Sequence, residues 1–246
     1  MRVAVVSDIH SNLHALEAVL EALEAEAPDE LWCLGDVVGY GPRPNESCAL
    51  IEARADVCLA GNHDLAIRGT IDLEEFHGDA ALAARLNRES LTPESFGFLD
   101  GLEPQGNVRG VAIYHGSARD PVWEYVLSDE AARATLAIAG SPLVLVGHSH
   151  VALRLTASGG PVEGRTDGGL APAGTVVALG DAPTLLNPGS VGQPRDGDPR
   201  AAYLLLDLDD RRAEFRRVSY DVARTQKEMA DAGLPGALAA RLTVGQ

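Results

Sequence analysis

Residues 2–10, with the sequence RVAVVSDIH, determine how the N-terminal half of the chain is expected to fold. The apolar run Val3–Ser7 predicts a buried strand, and Asp8 and His10 follow it directly. Residues 13–27 then place leucines at helical spacing ahead of a proline, which predicts a helix. A strand that continues into a helix is typical of the first unit of a parallel α/β sheet.

The alternation of strand and helix continues through the first 60 residues. Predicted strands at Glu30–Leu34 and Asp56–Ala60 flank a predicted helix at Pro44–Ala53. Asp36 and Asn62 each come just after one of these strands. Because sites in open α/β sheets form beyond the carboxyl ends of the strands, we expect Asp8, Asp36 and Asn62 to meet at one edge.

The second half of the chain changes in character near residue 151. Short apolar runs separated by glycine, proline and aspartate predict antiparallel hairpins, and therefore a second sheet packed on the first. We expect one α/β domain over residues 1–246. The remaining predicted strands are Val108–Tyr114, Leu143–Val146, Val151–Thr156, Thr175–Leu179, Pro183–Leu186, Ala201–Leu208 and Ala213–Val218. The remaining predicted helices are Asp79–Ser90, Pro93–Leu102, Asp129–Ala139 and Asp221–Ala232. Residues 158–174 are predicted to form a loop or a hairpin pair.

Composition narrows the class of protein. The chain has 246 residues, is 46% hydrophobic and carries a net charge of −16, which disfavours specific binding to nucleic-acid backbones. No apolar run approaches the roughly 18 residues that span a bilayer, and the first strand begins at the N-terminus, so we expect a cytoplasmic protein without a membrane partner. Three cysteines without metal-binding spacing predict buried thiols rather than disulfides.

Five of the seven histidines lie in short motifs, most of which follow a predicted strand. Imidazole, carboxylate and amide oxygen without thiolate form the ligand set of a two-metal hydrolase. Extended geometry would point Asp8 and His10 to one side, and likewise His148 and His150. The motifs are Asp8-Ile9-His10, Gly35-Asp36-Val37-Val38-Gly39, Gly61-Asn62-His63-Asp64, His115-Gly116 and Gly147-His148-Ser149-His150.

Individual residues of these motifs suit different roles. Asp36 between two glycines suits a carboxylate that bridges two cations, and Asn62 suits a neutral oxygen ligand. His63 suits a general acid that stays off the metals, since an ordinary histidine gains and loses a proton near neutrality. Asp64 suits a carboxylate that holds a ring nitrogen of a neighbouring imidazole.

In this order the motifs resemble the calcineurin-like metallophosphoesterases, whose pattern is D-x-H, G-D-x-x-G, G-N-H-D/E, a histidine before a glycine, and G-H-x-H. The resemblance extends from Arg2 to about residue 220. Residues 115–125 and 187–200 are similar to a small prokaryotic phosphodiesterase-like branch, which also resembles a subunit of the retromer complex.

The resemblance implies a four-layer αββα sandwich of two mixed sheets flanked by helices, with a dinuclear metal site at the strand ends. It implies one divalent metal ion on Asp8, His10, Asp36 and His150, and a second on Asp36, Asn62, His115 and His148. His63, oriented by Asp64, would protonate the leaving oxygen while a metal-bridging hydroxide attacks phosphorus. The donor set favours Mn, Fe, Co, Ni or Zn, and we expect Mn.

Several alternatives remain open at this stage. The substrate is expected to be a phosphodiester or a phosphomonoester, either a small molecule or a phosphoprotein; a protein phosphatase, a dinucleoside polyphosphate hydrolase and a non-catalytic metal-bearing scaffold are the alternatives. Arg195 is expected either to bind a substrate phosphate or to form a salt bridge with an aspartate. We interpret Trp123 and Tyr125 as packing residues, and His14 and His77 as outside the chemistry.

Overall fold

The computed structural model describes residues 1–158 and 164–246. Its α-helices are α1 Leu13–Glu26, α2 Pro44–Arg54, α3 Asn62–Arg68, α4 Gly78–Ser90, α5 Pro93–Asp100, α6 Asp129–Ala139, α7 Val222–Asp231 and α8 Gly236–Val244. Its strands are β1 Arg2–Val6, β2 Glu30–Cys33, β3 Val57–Cys58, β4 Gln105–Val108, β5 Val111–Tyr114, β6 Leu143–Val146, β7 Leu153–Ser158, β8 Arg165–Leu170, β9 Val176–Ala178, β10 Thr184–Asn187, β11 Ala201–Asp207 and β12 Arg212–Val218.

The strands form two mixed sheets of six strands each. The first has the order β3-β2-β1-β11-β12-β9, in which β1, β2 and β3 are parallel and β11 runs antiparallel to β1. The second has the order β4-β5-β6-β10-β7-β8, in which β5, β6 and β10 are parallel. Six parallel strands, three in each sheet, therefore supply the carboxyl ends at which a site can form.

Apolar side chains fill the space between the sheets and cover their outer faces. Val5 and Trp32 of the first sheet pack against Ile113 and Leu145 of the second. Helices α1 and α2 cover the outer face of the first sheet, and α6 covers that of the second. The predicted αββα sandwich is therefore confirmed.

Two strand predictions need correction. The segment predicted as one strand, Val108–Tyr114, instead contains the last residue of β4, a turn and the whole of β5. Arg109 and Gly110 both have positive φ, 54° and 82°, which is the geometry of a two-residue hairpin turn. The predicted hairpin strand Pro183–Leu186 is β10, which lies between β6 and β7 and runs parallel to β6.

Other elements were not predicted from the sequence. Helix α3, which begins at Asn62 within one of the site motifs, and helix α8 are both absent from the predicted elements. The segment predicted as a loop or hairpin pair contains β8, which pairs with β7, while residues 159–163 of it lie outside the described residues. Over residues 1–158 and 164–246, no helix combines the length and the apolar character needed to cross a bilayer.

Candidate metal centre

The seven side chains predicted as metal ligands converge at the carboxyl ends of the parallel strands. Every one of them is buried. Two groups of donor atoms lie close enough to hold a metal ion, Asp8, His10, Asp36 and His150 in the first, and Asp36, His115 and His148 in the second. Asn62 adds its side-chain oxygen to the second group, 3.2 Å from Nε2 of His115.

Asp36 belongs to both groups through a single oxygen atom. Its Oδ2 lies 3.5 Å from Nε2 of His10 and 3.5 Å from Nε2 of His115. Its other oxygen, Oδ1, accepts a hydrogen bond of 2.9 Å from the backbone N–H of His63. The carboxylate is thus fixed by one oxygen and presents the other between the two donor groups, which is the geometry of a bridging ligand.

Each of the four ligand histidines is anchored by one ring nitrogen, which faces a backbone carbonyl. In His10, His115 and His150 the anchored atom is Nδ1, so Nε2 faces the donor group. In His148 the anchored atom is Nε2, so Nδ1 faces the donor group. The facing nitrogens lie 3.0 Å apart in His10 and His150, and 3.2 Å apart in His115 and His148. The anchoring contacts are His10 to Val38 at 3.1 Å, His115 to Leu34 at 2.8 Å, His148 to Trp123 at 3.2 Å and His150 to Gln193 at 2.7 Å.

This donor set fits divalent metal ions. With the anchored nitrogens protonated, the facing nitrogens present lone pairs to each other, an arrangement that a cation between them stabilises. Oδ1 of Asp8 is buried without a hydrogen-bond partner, whereas its Oδ2 accepts from the backbone N–H of His148 at 3.1 Å. Burial raises the pKa of Asp8 to about 7, so the buried carboxylate needs a positive charge beside it.

Two ligands of the second group, Asp36 and His115, shift each other's pKa. Burial alone would disfavour the charged forms of both, but His115 holds the pKa of Asp36 well below its ordinary value, and Asp36 raises the pKa of His115 to about 9. A metal ion would take over the role of the His115 proton, since a ligand imidazole must be neutral.

The backbone that brings the ligands together is not extended. Asp8, His10, Asp36, His148 and His150 have φ values of 55°, 51°, 54°, 62° and 58°. The expectation that alternating strand geometry aligns Asp8 with His10, and His148 with His150, is therefore wrong, since β1 ends at Val6 and β6 at Val146. Left-handed turns aim the side chains instead, and His148 and His150 serve different groups. Such residues are strained and occur preferentially at functional sites.

His63 differs from the other motif histidines. Its ring is buried, and its Nδ1 has no hydrogen-bond partner. The ring packs edge-on to His10 at 4.9 Å and contacts the rings of Tyr40 at 4.4 Å and Phe76 at 4.6 Å. Burial lowers the pKa of His63 to about 4. The structure places His63 beside both donor groups but in neither.

Asp64 does not orient His63, contrary to expectation. Its Oδ2 accepts from the backbone N–H groups of Gly61 at 2.9 Å and Val37 at 3.2 Å, and its Oδ1 accepts from Val38 at 3.0 Å. Asp64 is the third residue of α3, where a carboxylate naturally reaches back to the N-cap amide. It therefore fixes the Asp36 loop to the start of α3, and acts on the site through the backbone.

The comparison with known families agrees with this geometry. The sequence-family model for the calcineurin-like phosphoesterase superfamily domain matches residues 1–211. The chain belongs to the calcineurin-like phosphoesterase superfamily. A crystal structure of a metallophosphoesterase from Sphaerobacter thermophilus superposes with a TM-score of 0.90 and 38% identity, covering 100% of this chain and 99% of that one.

Two curated proteins show the range of similarity within the superfamily. The uncharacterized protein MJ0912 of Methanocaldococcus jannaschii is 35% identical over 250 residues, which is 99% of this chain and 98% of its own. The symmetrical bis(5'-nucleosyl)-tetraphosphatase of Psychromonas ingrahamii is 35% identical over 68 residues, 26% of this chain and 25% of its own. The first similarity spans the whole phosphoesterase fold, and the second spans only a part of it.

The end of β10 and the segment after it hold the candidate metal centre in place, which the sequence alone did not reveal. Asn187 donates to the carbonyl of Gly147 at 2.6 Å, and Ser190 Oγ donates to the carbonyl of Asp8 at 2.7 Å. The carbonyl of Gln193 anchors His150. A signal was present, because these polar residues lie at or just after the end of a strand that runs parallel to β6 and ends at the same sheet edge.

Arg195 lies at the edge of the site. It donates to Gln193 Oε1 at 3.0 Å, and its guanidinium lies over the Tyr40 ring at 5.8 Å from the ring centroid. Its Nε is buried without a hydrogen-bond partner. The predicted alternative of a salt bridge to an aspartate is not seen in the described residues, where the adjacent Asp196 pairs with Arg217.

A group of aromatic side chains, the aromatic rim, lies beside the site. We define it as Phe76, Trp123 and Tyr125. Phe76 lies 5.5 Å from Trp123 and also contacts His63, and Tyr125 stacks on His148 at 4.2 Å with an interplanar angle of 11°. Of the histidines placed outside the chemistry, His77 is exposed, whereas His14 is buried beside Glu228 of α7.

Proposed function

We propose that this chain is a metal-dependent phosphoesterase that hydrolyses phosphodiesters or phosphomonoesters. The observation that supports this most directly is the pair of buried donor groups that share one oxygen of Asp36. The first metal ion would bind Asp8, His10, Asp36 and His150, and the second Asp36, Asn62, His115 and His148. Bound divalent ions supply a nucleophilic hydroxide near neutral pH and stabilise negative charge on phosphate oxygens.

His63 is proposed to donate a proton to the leaving oxygen. It is the motif histidine whose Nδ1 has no partner, and its ring lies next to His10. Burial keeps the ring neutral at pH 7, because it lowers the pKa of His63 to about 4. An anionic phosphoester placed against the ring favours its protonated form, which is the form that a general acid needs.

Arg195 is proposed to bind non-bridging oxygens of the phosphate. Its guanidinium has no carboxylate partner within the described chain, and its buried Nε has an unused proton. An arginine binds two phosphate oxygens at once through its planar fork of donors. The net charge of −16 would otherwise repel an anionic substrate, so a local positive charge beside the metal ions is needed.

The metal ions are proposed to be divalent transition metals, with Mn expected first. Neutral imidazole and carboxylate donors without thiolate suit Mn, Fe, Co, Ni and Zn. The substrate is a small phosphoester in this proposal. The partial similarity to a bis(5'-nucleosyl)-tetraphosphatase makes a nucleotide substrate a second candidate within the same chemistry.

The test is an activity screen on protein whose metal content has been measured. With added Mn²⁺, we expect hydrolysis of bis(4-nitrophenyl) phosphate, a fall of roughly 10²–10⁴-fold in His63→Ala as for loss of a general acid, and unchanged metal content. His77→Ala, an exposed histidine in the same half of the chain, is the matched control and should keep full activity.

Two results would contradict the proposal. Full activity in His63→Ala would exclude the general acid role. A wild-type protein with two bound metal ions that cleaves neither monoesters, diesters nor nucleotides would instead favour the scaffold alternative, in which the metals support only binding to another protein.

A further inference from the structure

Two large aromatic side chains beside the candidate metal centre are exposed to solvent. The Trp123 side chain is 38% exposed, and that of Tyr125 is 46% exposed. Only 4% of the chain is aromatic, and the core already uses Trp32, Phe215 and Tyr203. Exposure of two aromatic rings at one place is therefore not explained by packing of the core.

Tyr125 lies directly on a candidate metal ligand. One face of its ring covers the imidazole of His148, at 4.2 Å and nearly parallel. The Nδ1 of that imidazole faces Nε2 of His115, which also lies 3.2 Å from the side-chain oxygen of Asn62. The second metal ion would bind among these atoms. A group attached to a phosphorus atom at this position would pass beside the Tyr125 ring.

Trp123 extends the aromatic rim from Tyr125 toward His63. Its backbone carbonyl faces Nε2 of His148 at 3.2 Å, and its ring packs on Phe76, which in turn contacts His63. The aromatic rim thus reaches from the imidazole of a metal ligand at one end to the proposed general acid at the other. The Arg195 guanidinium lies over the Tyr40 ring, and that ring contacts both His10 and His63.

The segment that carries these rings is held firmly. Asp120 Oδ1 accepts from the backbone N–H groups of Val122 at 3.1 Å and Trp123 at 3.0 Å. Glu124 is paired with Arg119 and Ser117, so its charge is neutralised. A surface whose rings are already positioned loses little conformational entropy when a ligand stacks on it.

We propose that Tyr125, with Trp123 beside it, forms a stacking subsite for a flat aromatic group attached to the phosphoester, and that Tyr125 determines specificity for such substrates. This inference depends on the proposed function, because it assumes that a phosphate binds at the metal centre. Stacking on an aromatic side chain tolerates any flat ring, so a nucleobase and a simple aryl ester share this chemistry.

The test measures binding rather than turnover, using phosphonates whose carbon–phosphorus bond is not hydrolysed. Calorimetric titration of Mn²⁺-loaded protein compares phenylphosphonate with cyclohexylphosphonate, and the phosphonate analogue of AMP with that of ribose 5-phosphate. We expect the aromatic member of each pair to bind about tenfold tighter. A larger ratio in the second pair would identify a nucleobase as the preferred group, a larger ratio in the first pair would identify a simple aryl group, and equal ratios would show that the subsite accepts either ring.

Substitutions at position 125 separate stacking from a structural role. Tyr125→Leu should bring both ratios close to one while affinity for the non-aromatic members and the metal content stay unchanged, and Tyr125→Phe should restore the ratios. Phe96→Leu is the matched control, because it removes an exposed aromatic ring elsewhere in the chain, on α5. This variant should behave as wild type.

Three outcomes would overturn the inference. Ratios near one in the wild type would show that no stacking subsite exists, while phosphate binding itself stands. Equal weakening of all four ligands in Tyr125→Leu would show that Tyr125 only supports His148. Failure of all four to bind the metal-loaded wild type would contradict the phosphate site, and with it the proposed function.

Discussion

At the scale of single residues, the position of the Asp36 carboxylate depends on a glycine opposite it. A Cβ atom added at Gly61 would lie 1.9 Å from Oδ1 of Asp36 and 2.5 Å from its backbone nitrogen. We expect Gly61→Ala to displace Asp36, to lower metal content at both positions and to reduce activity by about 10–100-fold, as loss of ligand orientation does. Metal analysis of the purified variant by mass spectrometry measures this.

The control is another glycine-to-alanine change in the same chain. A Cβ at Gly97, within α5, meets nothing within 4 Å. Gly97→Ala should therefore keep both metals and gain about 0.5–1 kcal/mol of stability, because alanine favours the helix. Retention of metal and activity in Gly61→Ala would show that the bridging position of Asp36 does not depend on this contact.

The sequence could predict which residues meet in the site, but not how they are oriented. Their order along the chain, each after a predicted strand, was enough to bring Asp8, Asp36, Asn62, His115 and His148 to one edge. The left-handed φ values of five ligands could not be predicted, because side chains with a Cβ rarely adopt them without tertiary support. The partners of Asp64 were misjudged because the helix that begins at Asn62 was not predicted.

At the scale of elements, a polar contact joins α7 to the two helices that cover the first sheet. Arg43, the N-cap residue of α2, donates to Glu228 of α7 at 2.8 Å, and Nε2 of His14 on α1 lies 3.1 Å from the same carboxylate. The hydrogen bond from Arg43 lowers the pKa of Glu228 to about 2, from an ordinary value of 4.5. The charged carboxylate therefore stabilises the docked helix.

This shift predicts a pH-dependent contribution to stability. Because the folded-state pKa is the lower one, the stabilisation is complete above about pH 5 and is lost as the pH falls from 4.5 toward 2. We expect Glu228→Gln to cost roughly 1 kcal/mol at pH 7, a modest value because Arg43 is partly exposed, and the difference from wild type to shrink below pH 4.

Urea unfolding of both proteins at pH 7, 4 and 3 measures the difference. Glu17→Gln is the control, since Glu17 also faces His14 but is 56% exposed, and it should change stability very little. A Glu228→Gln penalty that stayed constant down to pH 3 would mean that the carboxylate charge does not stabilise the contact.

Elements with strong periodicity were predicted closely, and weakly patterned ones were not. Helix α6 has the predicted bounds Asp129–Ala139, because Ser128 caps it and Gly140 ends it in a left-handed conformation. Strand β8 was hidden, since Arg165–Leu170 contains two glycines and exposed residues, and pairing with β7 stabilises it. The place of β10 beside β6 depends on contacts distant in sequence, which no local pattern encodes.

At the scale of the whole molecule, the metal centre joins the two sheets. Asp8, Asp36 and Asn62 follow strands of the first sheet, whereas His115, His148 and His150 follow strands of the second. Trp32 and Leu145 are fully buried in the apolar layer between the sheets. Ligands on both sides of this layer mean that a metal ion bound to the native state opposes separation of the sheets.

Metal binding should therefore raise the stability of the entire fold. A ligand that binds only the native state stabilises it by about 2.7 kcal/mol when its concentration is 100 times its Kd, and two ions contribute twice. We expect the Tm of wild-type protein to rise when Mn²⁺ is added to chelator-treated protein. In Asp36→Asn, which replaces the bridging carboxylate by a neutral amide, the rise should become much smaller, because the shared negative charge between the two positions is lost.

Calorimetry of the two proteins, with and without Mn²⁺, measures this linkage, and Ca²⁺ serves as the control ion because it prefers an all-oxygen site. An equal rise in Tm for wild type and Asp36→Asn would show that the stabilising ion binds elsewhere. A wild-type Tm that does not change at a saturating Mn²⁺ concentration would contradict the proposed metal centre more strongly. An ion held by ligands from both sheets binds only the native state, because unfolding separates those ligands. Such an ion must therefore stabilise the fold against unfolding.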